Sequence, residues 1–496
     1  MADAAPARRL SSRSLKYALV ALGVLVLAAG AVVAYFAATF DPRDYHDRIV
    51  EVVREKTGRA LEIRGEISLS FWPDVAVRLG DVTLSERGRD ERFAAVESAR
   101  ITLKVVPLLD RELVASQLSV TGANVRITRF ADGSLNIDDL LAGEGETPRF
   151  DIGKVTVERS TLTYEDLGTG ARYELADIAV ETGRLANTVT TPITLGFVAS
   201  DAAGTFRLVA KIAANLDLDL GGPRYGLRKA SLELNGRVAG IADLVVSARG
   251  DALVQTKTRE AHVSALSMSI TGTHAADALV ATIDVSRLST IAGASSGEKV
   301  RVAMSAKGPA GTTQATLASP SVTHAGDKVR SEAAAVELSL VRGQHTLRAA
   351  LSTPLAIAIG ARELALERIE ATFTVLGPRV PRKGLTGSVK GEARVDAAKE
   401  GVQVRLSGKV GESNVKARLG AAGFAAPVYT FAVDIDELDI TPYIAADTAS
   451  HGKAAPASPA ESLLRPFADL PATGTLTVGV LKSTNVTAGN VRLVLK

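Results

Sequence analysis

Apolar and polar residues alternate with a period of two through most of this chain. Leu61, Ile63, Gly65, Ile67, Leu69 and Phe71 alternate with Glu62, Arg64, Glu66, Ser68 and Ser70, which predicts a strand with one apolar and one wet face. Trp72-Pro73-Asp74 interrupts the run, and Val75, Val77 and Leu79 resume it. Gly80-Asp81 then shifts the phase to Val82 and Leu84, as a bulge or tight turn would. Short runs follow around Ile101, Leu118 and Val125, and Asp132-Gly133 reads as a hairpin-type turn. The longest run is Phe206, Leu208, Ala210, Ile212, Ala214, Leu216, Leu218 and Leu220, with Arg207, Lys211, Asn215, Asp217 and Asp219 between them. Similar alternations occupy 300–306, 336–340, 389–395, 402–410 (with Val404 and Leu406) and 431–435 (with Val433 and Ile435). Strands follow strands with almost no helical interlude and no fixed-length repeat, which predicts antiparallel meanders.

Two early segments break that period. Tyr17 to Phe40 carries no charge over 24 residues; as a helix it would be about 36 Å long, enough to cross a ~30 Å hydrocarbon core. Arg8, Arg9, Arg13 and Lys16 precede it with only Asp3 in opposition, so its N-terminal end is expected in the cytoplasm and the rest of the chain across the membrane. Ala29-Gly30-Ala31 offers a signal-peptidase-like site as the alternative, but the apolar run continues nine residues further, which favours an uncleaved anchor. Next, Asp41 and Pro42 open a helix that puts Tyr45, Ile49, Val52 and Val53 on one face and stops at Gly58.

Composition narrows the function. The 496 residues carry a net charge of +3 without long single-sign blocks, which gives no basic patch for nucleic acid. There are no cysteines, which excludes disulfides and thiolate chemistry. Hydrophobic content is 46% but aromatics only 4%, so the strand faces are aliphatic.

Catalytic motifs are present and unconvincing. Gly293-Ala294-Ser295-Ser296-Gly297 matches G-x-S-x-G, but an alternating strand pattern follows where a nucleophile elbow needs a helix. Ser413 and Lys416 make an S-x-x-K between strands. The six histidines form no H-x-H or H-x-x-x-H pair, and Asp217/Asp219 and Asp434/Asp436 read as solvated strand faces. The expectation is no enzyme, no cofactor and no metal.

Order and spacing of short motifs carry a resemblance. Thr57-Gly58-Arg59 leads into the strand pair broken at Trp72-Pro73; Phe93-Ala94-Ala95-Val96-Glu97, Val106-Pro107-Leu108-Leu109 and Asp132-Gly133-Ser134-Leu135-Asn136 follow. Together they resemble the N-terminal signature of the AsmA family, densely over about 41–140 and in texture beyond. Val433-Asp434-Ile435-Asp436 and Leu438 to Tyr443 look like a late motif of the same family. Ile137 departs from the pattern, where an aromatic is common. The resemblance implies an inner-membrane-anchored periplasmic protein that carries phospholipid towards the outer membrane.

The expected fold is mainly β, an N-terminal transmembrane helix followed by an elongated antiparallel β body rolled into a hydrophobic groove, with very few helices. About 25 strands stacked ~4.8 Å apart would extend on the order of 120 Å. From the residues alone a closed sandwich is an equal alternative, since too few helices exist to cover the apolar faces. The expected divisions are a cytoplasmic tail at 1–16, the anchor at 17–40, an N-terminal domain at 41–149, repeated strands at 150–445, a linker and short helix at 446–470, and the start of a C-terminal β region at 471–496, whose last strand pattern is unfinished at Lys496. Lining candidates for the groove are Leu61, Ile63, Ile67, Leu69, Phe206, Leu208, Ile212, Leu216, Leu218, Val404, Leu406, Val433 and Ile435. The expected partners are phospholipid acyl chains, the inner membrane and outer-membrane assembly components. The rival is a tethered β scaffold or regulator of outer-membrane protein assembly that holds no lipid.

Overall fold

The computed structural model describes residues 42–70, 75–104, 115–141, 151–219, 224–238, 240–378, 380–381, 384–443, 471–484 and 486–495. The apolar run 17–40, the Trp72-Pro73-Asp74 break, Leu220 and the 446–470 segment lie outside them. No helix among the described residues is long and apolar enough to cross a membrane. The chain divides into two units: residues 1–187 with 196–202, and residues 188–195 with 203–496.

In the first unit helix α1 (Pro42–Thr57) ends at Gly58, whose N–H reaches the Arg54 carbonyl (2.8 Å) and whose φ of +67° suits a residue without Cβ. The strands are β1 (Leu61–Ile63), β2 (Ile67–Ser70), β3 (Val75–Ser85), β4 (Arg92–Leu103), β5 (Ala115–Arg129), β6 (Asp151–Ile152), β7 (Lys154–Asp166), β8 (Ala171–Thr182) and β9 (Leu185–Ala186), with a one-turn helix α2 (Asp138–Leu141) after β5. Both β1 and β2 pair with β3, on either side of Gly80-Asp81, where Asp81 has φ +41°. The phase shift in the sequence is therefore a bulge that lets one long strand hold two short ones. β10 (Thr190–Asp201) falls partly in each unit.

The second unit is a meander of long strands: β11 (Phe206–Asp219), β12 (Arg224–Val238), β13 (Ile241–Gln255), β14 (Glu260–His274), β15 (Asp277–Ile291), β16 (Ala294–Gly308), β17 (Gly311–Ala325), β18 (Lys328–Arg342), β19 (His345–Ala358), β20 (Glu363–Leu376), β21 (Leu385–Asp396), β22 (Gly401–Val410), β23 (Ser413–Ala422), β24 (Val428–Asp439), β25 (Ala472–Lys482) and β26 (Thr487–Leu495). Each pairs antiparallel with the next except at one junction, where β25 runs parallel to β24. The first unit has a matching exception, β7 parallel to β5. The strand pattern predicts an all-antiparallel body; the observed pairing is mixed. Both exceptions follow the longer connections between β5 and β7 and between β24 and β25, and a parallel neighbour requires such length; period-two alternation cannot reveal it.

Several strands of the second unit carry one extra residue in left-handed conformation: Lys229, Ala265 and Arg368 have φ between +49° and +53° and coincide with register shifts. Such bulges bend a strand. Beside them lie deeply buried positions, among them Val285, Ser319, Ser331, Thr353 and Ile369. The hydroxyls of these three residues are satisfied: Ser319 Oγ bonds Ser331 Oγ and the Ser321 carbonyl (2.7 Å each), and Thr353 Oγ1 donates to the Glu367 carbonyl at 2.7 Å.

Candidate functional site

Cross-strand partners in a sheet share a face, so the register shows what each face of the second unit presents. One row runs from Ile212 on β11 through Met268, Val302, Leu351 and Val389 to Val491 on β26. It crosses sixteen strands and is aliphatic or Met at every one except Gly408. There a Cβ would sit 2.1 Å from the Ser388 carbonyl oxygen, so the close approach of two strands requires glycine. The adjacent row on the other face begins Lys211, Glu233, Ser247, Ser269, Thr282 and continues through Thr316, Glu337, Thr372 and Ser388 to Lys409. That face is held by exposed ion pairs such as Lys390–Glu370 (2.7 Å) and Arg405–Glu392 (2.8 Å).

The apolar face is half-buried rather than buried. Among the described residues of the second unit, the hydrophobic side chains below a tenth exposed include Ala210, Leu244, Val285 and Ile369, and they gather into a compact cluster only at Ile440, Val478 and Leu481. A two-layer core of this length would bury most inward positions.

Most of the expected lining residues fall on this face. Phe206, Leu208, Ile212, Leu216 and Leu218 share one side of β11, which has no bulge of its own. Val404 and Leu406 lie on the same side of β22 as Gly408, and Val433 flanks Ile435, which occupies the long row itself. In the first unit Leu61 and Ile63 pair with Leu84 and Val82, and Ile67 and Leu69 with Leu79 and Val77. Those contacts continue as shorter apolar rows, for example Leu69–Val77–Ile101–Leu118–Val155.

Polar chemistry concentrates at a second place, in the first unit. Arg59 is fully buried. Its guanidinium donates to Asp139 (2.8 and 3.2 Å), the Asn136 carbonyl (2.7 Å) and the Ser85 carbonyl (3.2 Å), lies 3.5 Å from Glu86 Oε2, and stacks 4.4 Å over the Phe93 ring. The Asn136 side chain donates to Glu86 Oε1 (2.6 Å) and the Arg126 carbonyl (3.0 Å) and accepts from the Thr128 N–H (3.0 Å). The Asp139 carboxyl is held below the usual range, first by its hydrogen bond from Arg59. T-G-R, Phe93 and D-G-S-L-N, scattered over eighty residues, thus meet around one cation. The motifs are legible in the sequence but their meeting is not, because the burial of Arg59 depends on Phe93 and Asp139, far outside any local pattern. Beside the knot is a cleft of about 1010 Å³ lined by Arg89, Arg92, Arg126, Phe130 and Glu165 among others.

The tempting motifs resolve as strand chemistry. Gly293 is a hairpin turn, and Ser295 sits on β16, its hydroxyl 2.8 Å from Thr290 Oγ1. Ser413 and Lys416 lie on β23. Asp217 is held below its usual range first by the Thr190 hydroxyl and then by Arg228 (both 2.5 Å).

The AsmA family profile matches residues 11–457. The chain belongs to the AsmA family. Protein AsmA of Escherichia coli (strain K12) is 24% identical over 134 residues, covering 25% of this chain and 22% of that protein, so the likeness spans about a fifth of that relative. No solved structure matches. For this AsmA-family chain the converging signature residues have a structural role: they build the knot around Arg59.

Proposed function

We propose that this AsmA-family chain is anchored in the inner membrane by Tyr17–Phe40, and that its β body stands in the periplasm and shields phospholipid acyl chains on their way between membranes, supporting outer-membrane biogenesis. The observation that carries this reading is the apolar row that crosses sixteen strands on a half-buried face backed by a polar one. Such a face must be covered by something apolar, and a lining of Val, Leu, Ile and Ala suits flexible chains. Each CH₂ kept from water on it saves roughly 0.8 kcal/mol, and a uniform lining lets the chain slide between equivalent positions. On this reading transfer needs no covalent step, and outer-membrane assembly components would meet the body beyond the membrane.

The test places a charge in the path. Full-length protein carrying Leu208→Asp or Leu216→Asp should lose at least tenfold of its crosslinking to phosphatidylethanolamine with a photoreactive acyl tail, with circular dichroism unchanged. Undiminished tail crosslinking in a folded variant would sink the proposal. A lipid-free mass for the parent protein in native mass spectrometry would point instead to a tethered scaffold.

A further inference from the structure

The last apolar-face row before one set of hairpin turns is broken at a single place. On β11 and β13, which carry no extra residue there, this row lies six positions from the Ile212–Val491 row, so the two share a face. It is apolar from Leu218 to Ala261 on β11–β14, and again from Val329 to Tyr429 on β18–β24. Between them the register places Thr290, Ser295 and His324 side by side on β15, β16 and β17. The row closes seven hairpins; five carry only aliphatic side chains or a lone tyrosine (Tyr225, Tyr429), and the two consecutive ones at β15–β16 and β17–β18 hold the threonine, the serine and the histidine.

All three are half-buried rather than pointing freely into water. Thr290 and Ser295 share one hydrogen bond of 2.8 Å, which leaves acceptor lone pairs and one hydroxyl proton uncommitted. His324, next to Ser295 in the register, has no hydrogen bond or ion pair among the described residues. A half-buried imidazole beside two hydroxyls is costly on an apolar face unless something polar comes to it. Ser295 bonds a threonine hydroxyl and not the imidazole, so the arrangement supplies hydrogen bonds and not an activated nucleophile.

We propose that Thr290, Ser295 and His324 form a polar gap in the rim where the phosphate and ester oxygens of an acyl lipid rest while its tails lie on the apolar face. This rests on the reading of that face as an acyl-chain path. The chemistry fits: those oxygens accept hydrogen bonds, and a lipid lying with tails inward brings its polar end to the rim. Elsewhere along the row the side chains are aliphatic except Tyr225 and Tyr429, single phenols with aliphatic neighbours, so nowhere else do adjacent strands offer the headgroup a group of polar side chains. The gap is thus a position where headgroup chemistry is read and where passage pauses.

The test compares two photoreactive phosphatidylethanolamines, one labelled in the headgroup and one in the tail, presented in phosphatidylethanolamine/phosphatidylglycerol vesicles to the full-length protein. The crosslinked peptides are mapped by mass spectrometry. The headgroup probe should label 288–296 and 322–330 at least threefold above the equivalent rim at 252–262 and 394–403. The tail probe should label the face on both sides of the gap. His324→Leu, which breaks no bond, and the triple variant Thr290→Val/Ser295→Ala/His324→Leu should erase the headgroup enrichment and keep the tail labelling. Even headgroup labelling along the rim, or enrichment that survives in a folded variant, overturns the gap and leaves the acyl path standing. No tail labelling of the face overturns both.

Discussion

The knot around Arg59 and the long rows of the second unit solve the problem of stability in opposite ways. In the first, one buried cation gathers two carboxylates, two carbonyls and a phenyl ring from positions up to eighty residues apart. The two carboxylates and the ring are each used through their own chemistry in one geometry, so a change of residue type there removes the contact. In the second, each strand adds one aliphatic side chain to a row, and Val, Ile, Leu, Met or Ala serves equally. The difference explains why position-specific motifs crowd into the first unit while the second, up to the late motif at 433–443, shows only texture. Concentrated interactions constrain identity; distributed ones constrain pattern.

Removing the centre of the knot should have the largest effect. Arg59→Met strands Asp139 and Glu86 without their cation and should cost about 3–5 kcal/mol, read as accelerated amide exchange at 57–66 and 126–141 in urea titrations. Ile283→Ala on the long row should cost about 1 kcal/mol, since its side chain is only half-buried. If the two losses were equal, the contrast between focused and distributed stability would break. Gly408→Ala should fall between them, at about 1–3 kcal/mol, because its Cβ has no room against Ser388.

A gentler perturbation is pH. The folded Asp139 carboxyl titrates below its ordinary value because Arg59 bonds the charged form. Its contribution is therefore complete above an unfolded carboxylate pKa of about 3.9 and is lost as pH falls through the lowered value. Amide protection factors around the knot, with the intrinsic exchange rate at each pH divided out, should fall below about pH 4, and Arg59→Met should flatten that dependence. The smallest effect belongs to the polar face. Glu370→Gln breaks the exposed pair with Lys390 and should leave the unfolding midpoint unchanged within error. A measurable shift there would mean that the polar face contributes more than solubility.

Much of this architecture is legible in the amino-acid sequence. Alternation locates the strands, the phase shift at Gly80-Asp81 locates a bulge, and the even-numbered run from Phe206 to Leu218 puts its members on one face. Arg59 is visible there only as a letter in a motif. Its burial depends on Asp139 and Phe93, and neither lies within the reach of a local pattern. The parallel junctions at β5–β7 and β24–β25 are equally hidden, because a strand alternates in the same way whichever direction its neighbour runs.

Chain chemistry by itself determined that this protein is built of strands with one aliphatic and one polar face, because side-chain direction reverses at every residue of an extended chain. Register decided the rest. Only pairing lined up Ile212 with residues as distant as Val491, gathered three of the signature motifs around one guanidinium, and set Thr290, Ser295 and His324 side by side in a mainly aliphatic row. Those outcomes depend on which residue stands opposite which, and that is fixed by bulges and turns acting together across many strands.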